Sequence, residues 1–104
     1  KIVIWKWVIQ MQLFRKFPFK DKPNIACITC SHILDENKPI LYVSHDYDDG
    51  CWQFLCGKEH GIKDSRVVAL SEIYKLDKSI QKIVHLEQGK SAYRNNKKSK
   101  WIIN

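Results

Sequence analysis

The sequence predicts an α+β domain: an antiparallel sheet of about four to six strands packed by one or two short helices. Three observations lead there. Short runs rich in Ile, Val, Thr, Cys and aromatic residues recur between turn-forming clusters, the pattern of strands bounded by reversals. One segment, beginning at Asp77, places Ile80, Ile83 and Val84 at i, i+3 and i+4, the spacing of a helical face. And 104 residues, 44% apolar and 28% charged, supply one core of ordinary size, enough to fold without disulfides and too little for a large multidomain enzyme.

Residues 1–24 read as a basic, aromatic lead-in and residues 25–104 as a single domain. In the lead-in, Pro18 and Pro23 discourage regular structure, and Phe14, Phe17 and Phe19 are expected to dock on the globule. Residues 25–33 suit a strand, 35–38 a turn, and Pro39 opens a second strand over 40–45, because its missing N–H matters least there. The two are expected to pair as a hairpin. Asp46-Tyr-Asp-Asp-Gly50 is a second turn, whose Asp-Gly pair tolerates the positive φ of a tight reversal, and 52–56 makes a third antiparallel strand. A polar loop over 57–65 leads to a short strand at 67–70 and a helical turn at 71–74. The helix capped by Asp77 ends at Gly89 and packs on the sheet. The tail, with Tyr93, the basic turn 94–98 and the apolar 101–103, is expected to close a terminal hairpin.

The formal net charge of +7 sits at the ends. Residues 1–23 carry six Lys/Arg against one Asp and residues 76–104 seven against two acids, whereas 24–75 carry five against eight. A nucleic-acid footprint needs its cations on one face. Arg15, Lys16, Lys20, Lys22, Lys97, Lys98 and Lys100 are therefore read as solvated ends, with nucleic acid a minor alternative.

The first ten residues are the most apolar stretch, but Lys6 interrupts them and a bilayer span needs about 20 apolar residues. No small-residue cleavage site follows, so they do not read as a secretory signal. The expected location is cytoplasmic, with reduced thiols and no membrane partner. Met11 is the sole methionine, which makes residues 1–10 a candidate non-native extension. The alternation of Trp5, Trp7 and Ile9 with Lys6, Val8 and Gln10 reads alternatively as an edge strand.

Four cysteines and four histidines raise the question of a metal. On an extended backbone Cys27 points to one sheet face and Cys30 with His32 to the other, and Cys51 and Cys56 also fall on opposite faces. The first reading is accordingly four small, reduced, half-buried thiols filling a sheet, with no metal or cofactor. The alternative takes Cys30, His32, Cys56 and His60 as a zinc set, two pairs from adjacent segments, serving a zinc-stabilised domain or a small metal- or thiol-dependent enzyme. A thioredoxin-like role is set aside, because its Cys-x-x-Cys opens a helix and no helix is expected after Cys30.

Catalytic patterns mostly fail. Ser44-His45-Asp46 has the letters of a hydrolase triad, but neighbours on a strand point to opposite faces. Asp46, Asp48 and Asp49 resemble the start of a calcium loop, yet the twelfth position, where a bidentate glutamate belongs, is Gly57. A cysteine nucleophile paired with histidine, Cys56 with His60 or His45, stays formally open. No phosphate-cradling glycine loop exists.

Three runs carry a resemblance: Ala26-Cys-Ile-Thr-Cys-Ser-His-Ile33, Lys38-Pro-Ile-Leu-Tyr-Val-Ser-His-Asp46 and Asp49-Gly-Cys-Trp-Gln-Phe-Leu-Cys-Gly57. With Val67 to Leu70, Ile73, Asp77 to Ile80, Leu86, Gly89, Ala92 to Arg94 and Trp101, residues 25–101 resemble a family of small bacterial domains of unknown function grouped with the predicted immunity proteins of polymorphic toxin systems. The resemblance implies a cytoplasmic, non-enzymatic α+β domain that neutralises a cognate toxin by occluding its active site, and it brings no catalytic residues. Asp46, Asp48 and Asp49, with Glu59 and Asp64 of the following loop, are expected to form an acidic patch toward a basic toxin surface. His45 and Trp52 flank it. Trp52 is read as the largest core anchor, or else as an exposed hot spot.

Overall fold

The computed structural model describes residues 17–58 and 61–104. It is α+β, as the sequence predicts. Among the described residues six strands, β1 (Ala26–Cys30), β2 (Tyr42–His45), β3 (Trp52–Leu55), β4 (Ser65–Ala69), β5 (Lys90–Tyr93) and β6 (Ile102–Ile103), form one open sheet in the order β4-β1-β3-β2-β5-β6. Two short helices, α1 (Ser31–Glu36) and α2 (Leu70–Leu76), and two 3-10 segments, Ile62–Asp64 and Lys78–Ile83, complete it. No helix among the described residues is long and apolar enough to cross a membrane.

The core follows from the alternation of side chains. Thr29 lies opposite Phe54, Phe54 opposite Val43, and Val43 opposite Ala92, a row that crosses four strands and is fully buried. The Thr29 hydroxyl donates to the Phe54 carbonyl at 2.7 Å, which satisfies the one polar side chain in that row. Ile33, Leu70, Ile73, Ile80, Ile83 and Leu86 join the same cluster from the helical segments. Phe19 packs edge-on against Trp52 and Phe54, and Phe17 against Tyr74, so this part of the lead-in docks as expected. Phe14 and residues 1–10 lie outside the described residues.

Strand order departs from the sequence reading in one way that matters. The expected first hairpin does not form. β2 pairs antiparallel with β3, while β1 lies on the other side of β3 and runs parallel to it, with Ile28 opposite Gln53. Nor does the first strand reach residue 33. After Cys30 the chain turns into α1, which buries Ile33 and ends at Asn37 in the left-handed conformation (φ 56°). The period-two reading of 25–33 missed this because Ile and Thr before Cys30 favour a strand, while Leu34 to Glu36 and the Asn C-cap favour a helix.

The segment after Asp77 is also corrected: it is 3-10 over Lys78–Ile83 rather than an α-helix running to Gly89. Ile80 and Ile83 are still the buried pair, since a three-residue turn satisfies i, i+3. The cap is as expected, with the Asp77 carboxylate accepting from the Ser79 N–H at 2.9 Å. Gly89 adopts φ +87°, where a Cβ would sit 3.3 Å from Tyr47. The terminal hairpin forms, pairing Ala92 with Ile103 and Tyr93 with Ile102.

Arg94 fastens this half of the molecule. Buried with Asp77, it donates to that carboxylate at 2.8 Å, to the Ile40 carbonyl at 2.9 Å, to Ser79 Oγ at 2.9 Å and to the Lys97 carbonyl at 3.0 Å. Its guanidinium lies 4.2 Å from the centre of the Trp101 ring. One side chain thus joins β5, the 3-10 segment, the chain entering β2 and the basic turn.

Candidate functional site

Candidate site residues gather at two ends of the sheet. At the first, the β2–β3 turn is built by its own carboxylates. Asp46 accepts from Ser44 Oγ at 3.1 Å and Gln53 Nε2 at 2.8 Å, and Asp49 accepts from the Cys51 N–H at 2.9 Å. Gly50 takes the positive φ the turn requires, +71°. Asp48 and Asp49 are exposed and Asp46 half-buried.

Trp52, only 2% exposed, is a core residue. His45 stacks on it at 3.9 Å between ring centres and 12° between planes, and Phe54 stacks on it too, at 5.9 Å. His45 Nδ1 lies 2.7 Å from the Leu86 carbonyl. A carbonyl only accepts, so Nδ1 carries the hydrogen. These contacts fix the imidazole at the edge of an open cleft of about 590 Å³ lined by Lys20, Asp21, His45, Asp49, Trp52, His85, Glu87 and Gln88, among others. The cleft therefore gathers His45, Asp49 and Trp52 of the predicted set. It also adds Asp21 and Glu87, which sequence reasoning missed because the lead-in and the chain before β5 reach this turn only through the fold.

Asp64 is not there. Ser65 pairs with Cys30, so Asp64 sits at the far end of β3 from the aspartate turn, where it accepts from the Gly61 N–H at 3.0 Å and closes a 3-10 turn. Glu59 and His60 lie outside the described residues. The expected single acidic patch thus resolves into the cleft end and a separate Asp64.

At that far end the structure gathers Cys30, His32 and Cys56, whose Sγ and ring nitrogen atoms all lie within 4.8 Å of one another. These are three of the four residues of the alternative set weighed from the sequence, and two features of the fold bring them together. Parallel pairing brings the outgoing ends of β1 and β3 together, and α1 turns His32 back toward Cys56, with Nδ1 3.8 Å from its sulfur. A helix does follow Cys30, contrary to expectation, although Cys27 stays on the strand. Burial pushes the Cys30 thiol up, opposed by the Ile33 and Cys56 N–H groups directed at its sulfur, with the Cys56 thiol pushing the same way as burial. Two thiols and an imidazole so placed are donors suited to a soft or borderline metal ion.

The remaining thiols are unlike these. Burial pushes Cys27 up to about 12, helped by the nearby Cys51 thiol, and burial with Asp49 and Asp46 raises Cys51. Unfolded, Cys27 returns to an ordinary value near 9. Above pH 9 the unfolded chain therefore loses a proton that the folded one keeps, and stability contributed by Cys27 falls as pH rises from 9 toward 12. Urea unfolding at stepped pH should show this decline shrinking in Cys27→Ala. An identical alkaline slope in both proteins would contradict the assignment.

No family model matches this chain, and no curated protein and no solved structure matches it either.

Proposed function

We propose that the protein is a non-enzymatic, cytoplasmic binding domain that occludes the active site of a protein partner, a cognate bacterial toxin, through the cleft end of its sheet. The observation that carries this reading is the convergence of His45, Asp49 and Trp52, from the segment most specific to the immunity-protein resemblance, on one cleft with Asp21 and Glu87. Three carboxylates against Lys20 favour a basic partner side chain there. The His45 ring, clamped between Trp52 and the Leu86 carbonyl, offers a rigid flat platform beside them. Asp48 projects from the same turn without serving it, so its charge is available for steering.

Co-expression with the product of the adjacent reading frame tests the reading: rescue of growth together with co-purification supports it. A neighbour that is harmless alone counts against it. With the partner in hand, Asp48→Lys combined with Glu87→Lys is expected to slow association about 10-fold at low salt and to flatten its salt dependence. On-rates unchanged at low ionic strength would refute the steering role. Asp49→Asn, which keeps the acceptor for the Cys51 N–H, separates loss of charge from loss of the turn.

A further inference from the structure

We propose that Cys30, His32 and Cys56 form a zinc site, independent of the partner-binding cleft, that staples the ends of β1 and β3 to the start of α1. The three donor atoms lie within 4.8 Å of one another, and His32 Nδ1 and Cys56 Sγ are 3.8 Å apart. A tetrahedral zinc with Zn–S near ~2.3 Å and Zn–N near ~2.0 Å has ligand-to-ligand edges of about 3.5–3.8 Å. The cluster is thus already close to the dimensions of one face of such a tetrahedron. Small rotamer adjustments close it.

The surroundings suit the ion. Cys30 and Cys56 are buried and His32 half-buried, so the sulfurs are shielded while the imidazole lies at the rim, an entry path for metal. Two thiolates and one imidazole favour zinc over the oxygen-seeking cations. The described residues fill three of four tetrahedral positions, which leaves one for solvent or a further ligand.

The site also lies where two paired strands end. β1 and β3 lie side by side, but Cys30 leaves its strand into α1 and Cys56 leaves its strand toward Gly57, so the chain diverges just where the donors converge. A bound ion would hold that divergence fixed. Binding of metal to the folded state alone raises stability by mass action.

Reduced protein stripped by chelator and supplied with zinc is expected to retain one equivalent through gel filtration and to melt at a higher temperature than the stripped form. Cobalt(II) in its place should give the visible bands of a tetrahedral ion with thiolate charge transfer in the near ultraviolet. Cys30→Ser, Cys56→Ser and His32→Ala should each weaken zinc binding more than about 100-fold in competition titrations, while Cys27→Ser and Cys51→Ser stay within about threefold of the parent. Where a ligand variant does not fold, X-ray absorption at the zinc edge of the unaltered protein decides. Two sulfurs with nitrogen or oxygen neighbours support the site. Four sulfurs, no sulfur, no retained zinc, or equal losses in Cys51→Ser would overturn it.

Discussion

Replacing Arg94 with alanine is expected to cost about 3–5 kcal/mol, because it strands the Asp77 carboxylate in the interior without its counter-charge. The side chains of Arg94 and Asp77 keep 1% and 6% of their surface, so water cannot repair the loss. The Ile40 and Lys97 carbonyls lose their donor in the same step, and the Trp101 ring loses the cation beneath it. Lysine should rescue only part of this, since an ammonium cannot reach a carboxylate and several carbonyls through one planar fork. Asp77→Ala is expected to be costly as well. It leaves the guanidinium its carbonyl partners but removes the acceptor of the Ser79 N–H. The double variant should then lose less than the two single losses added together, the mark of a coupled pair. Urea denaturation of all four proteins measures it. An Arg94→Ala protein within 1 kcal/mol or so of the parent would show the pair to be dispensable.

Phe54→Ala should destabilise comparably, by about 3–5 kcal/mol, through lost apolar contact and the cavity left behind. Phe54 is fully buried at the crossing of the central row, where it meets Thr29 on one side and Val43 on the other. Phe19 and Trp52 pack on its ring. Removal therefore undermines both the row and the platform beneath His45. Phe54→Leu keeps much of the volume and should cost under about 1.5 kcal/mol. Chemical denaturation separates the two, and a small loss in Phe54→Ala would mean that the neighbours collapse into the space.

These two residues also show what the sequence made legible. Phe54 announces its strand through the run 52–56, and the terminal hairpin announces itself by its two apolar ends around a basic turn. Arg94 does not: within a run of polar residues nothing local tells a buried arginine from a solvated one, and only the register of β5 against β2 brings it beneath Asp77. The same holds for the candidate sites. His45, Asp49 and Trp52 belong to one short segment and were identifiable together, whereas Asp21 and Glu87 reach them from distant parts of the chain. Cys30 and Cys56 were recognised as possible ligands, but their approach depends on a parallel pairing. Period-two reasoning assigns faces within a strand and is blind to which strands are neighbours.

That parallel pairing governs the order in which the protein can be completed on the ribosome. Among the described strands β1 emerges first, yet its neighbours are β3 and β4: Thr29 waits for Phe54, and Cys27 for Val68. The hairpin of β2 and β3 can close promptly behind it, whereas β1 stays unmatched on one edge until translation has passed Ala69. A nascent polypeptide stalled short of Ala69 therefore displays an open, apolar strand edge, a natural target for chaperones and, where these are scarce, for self-association.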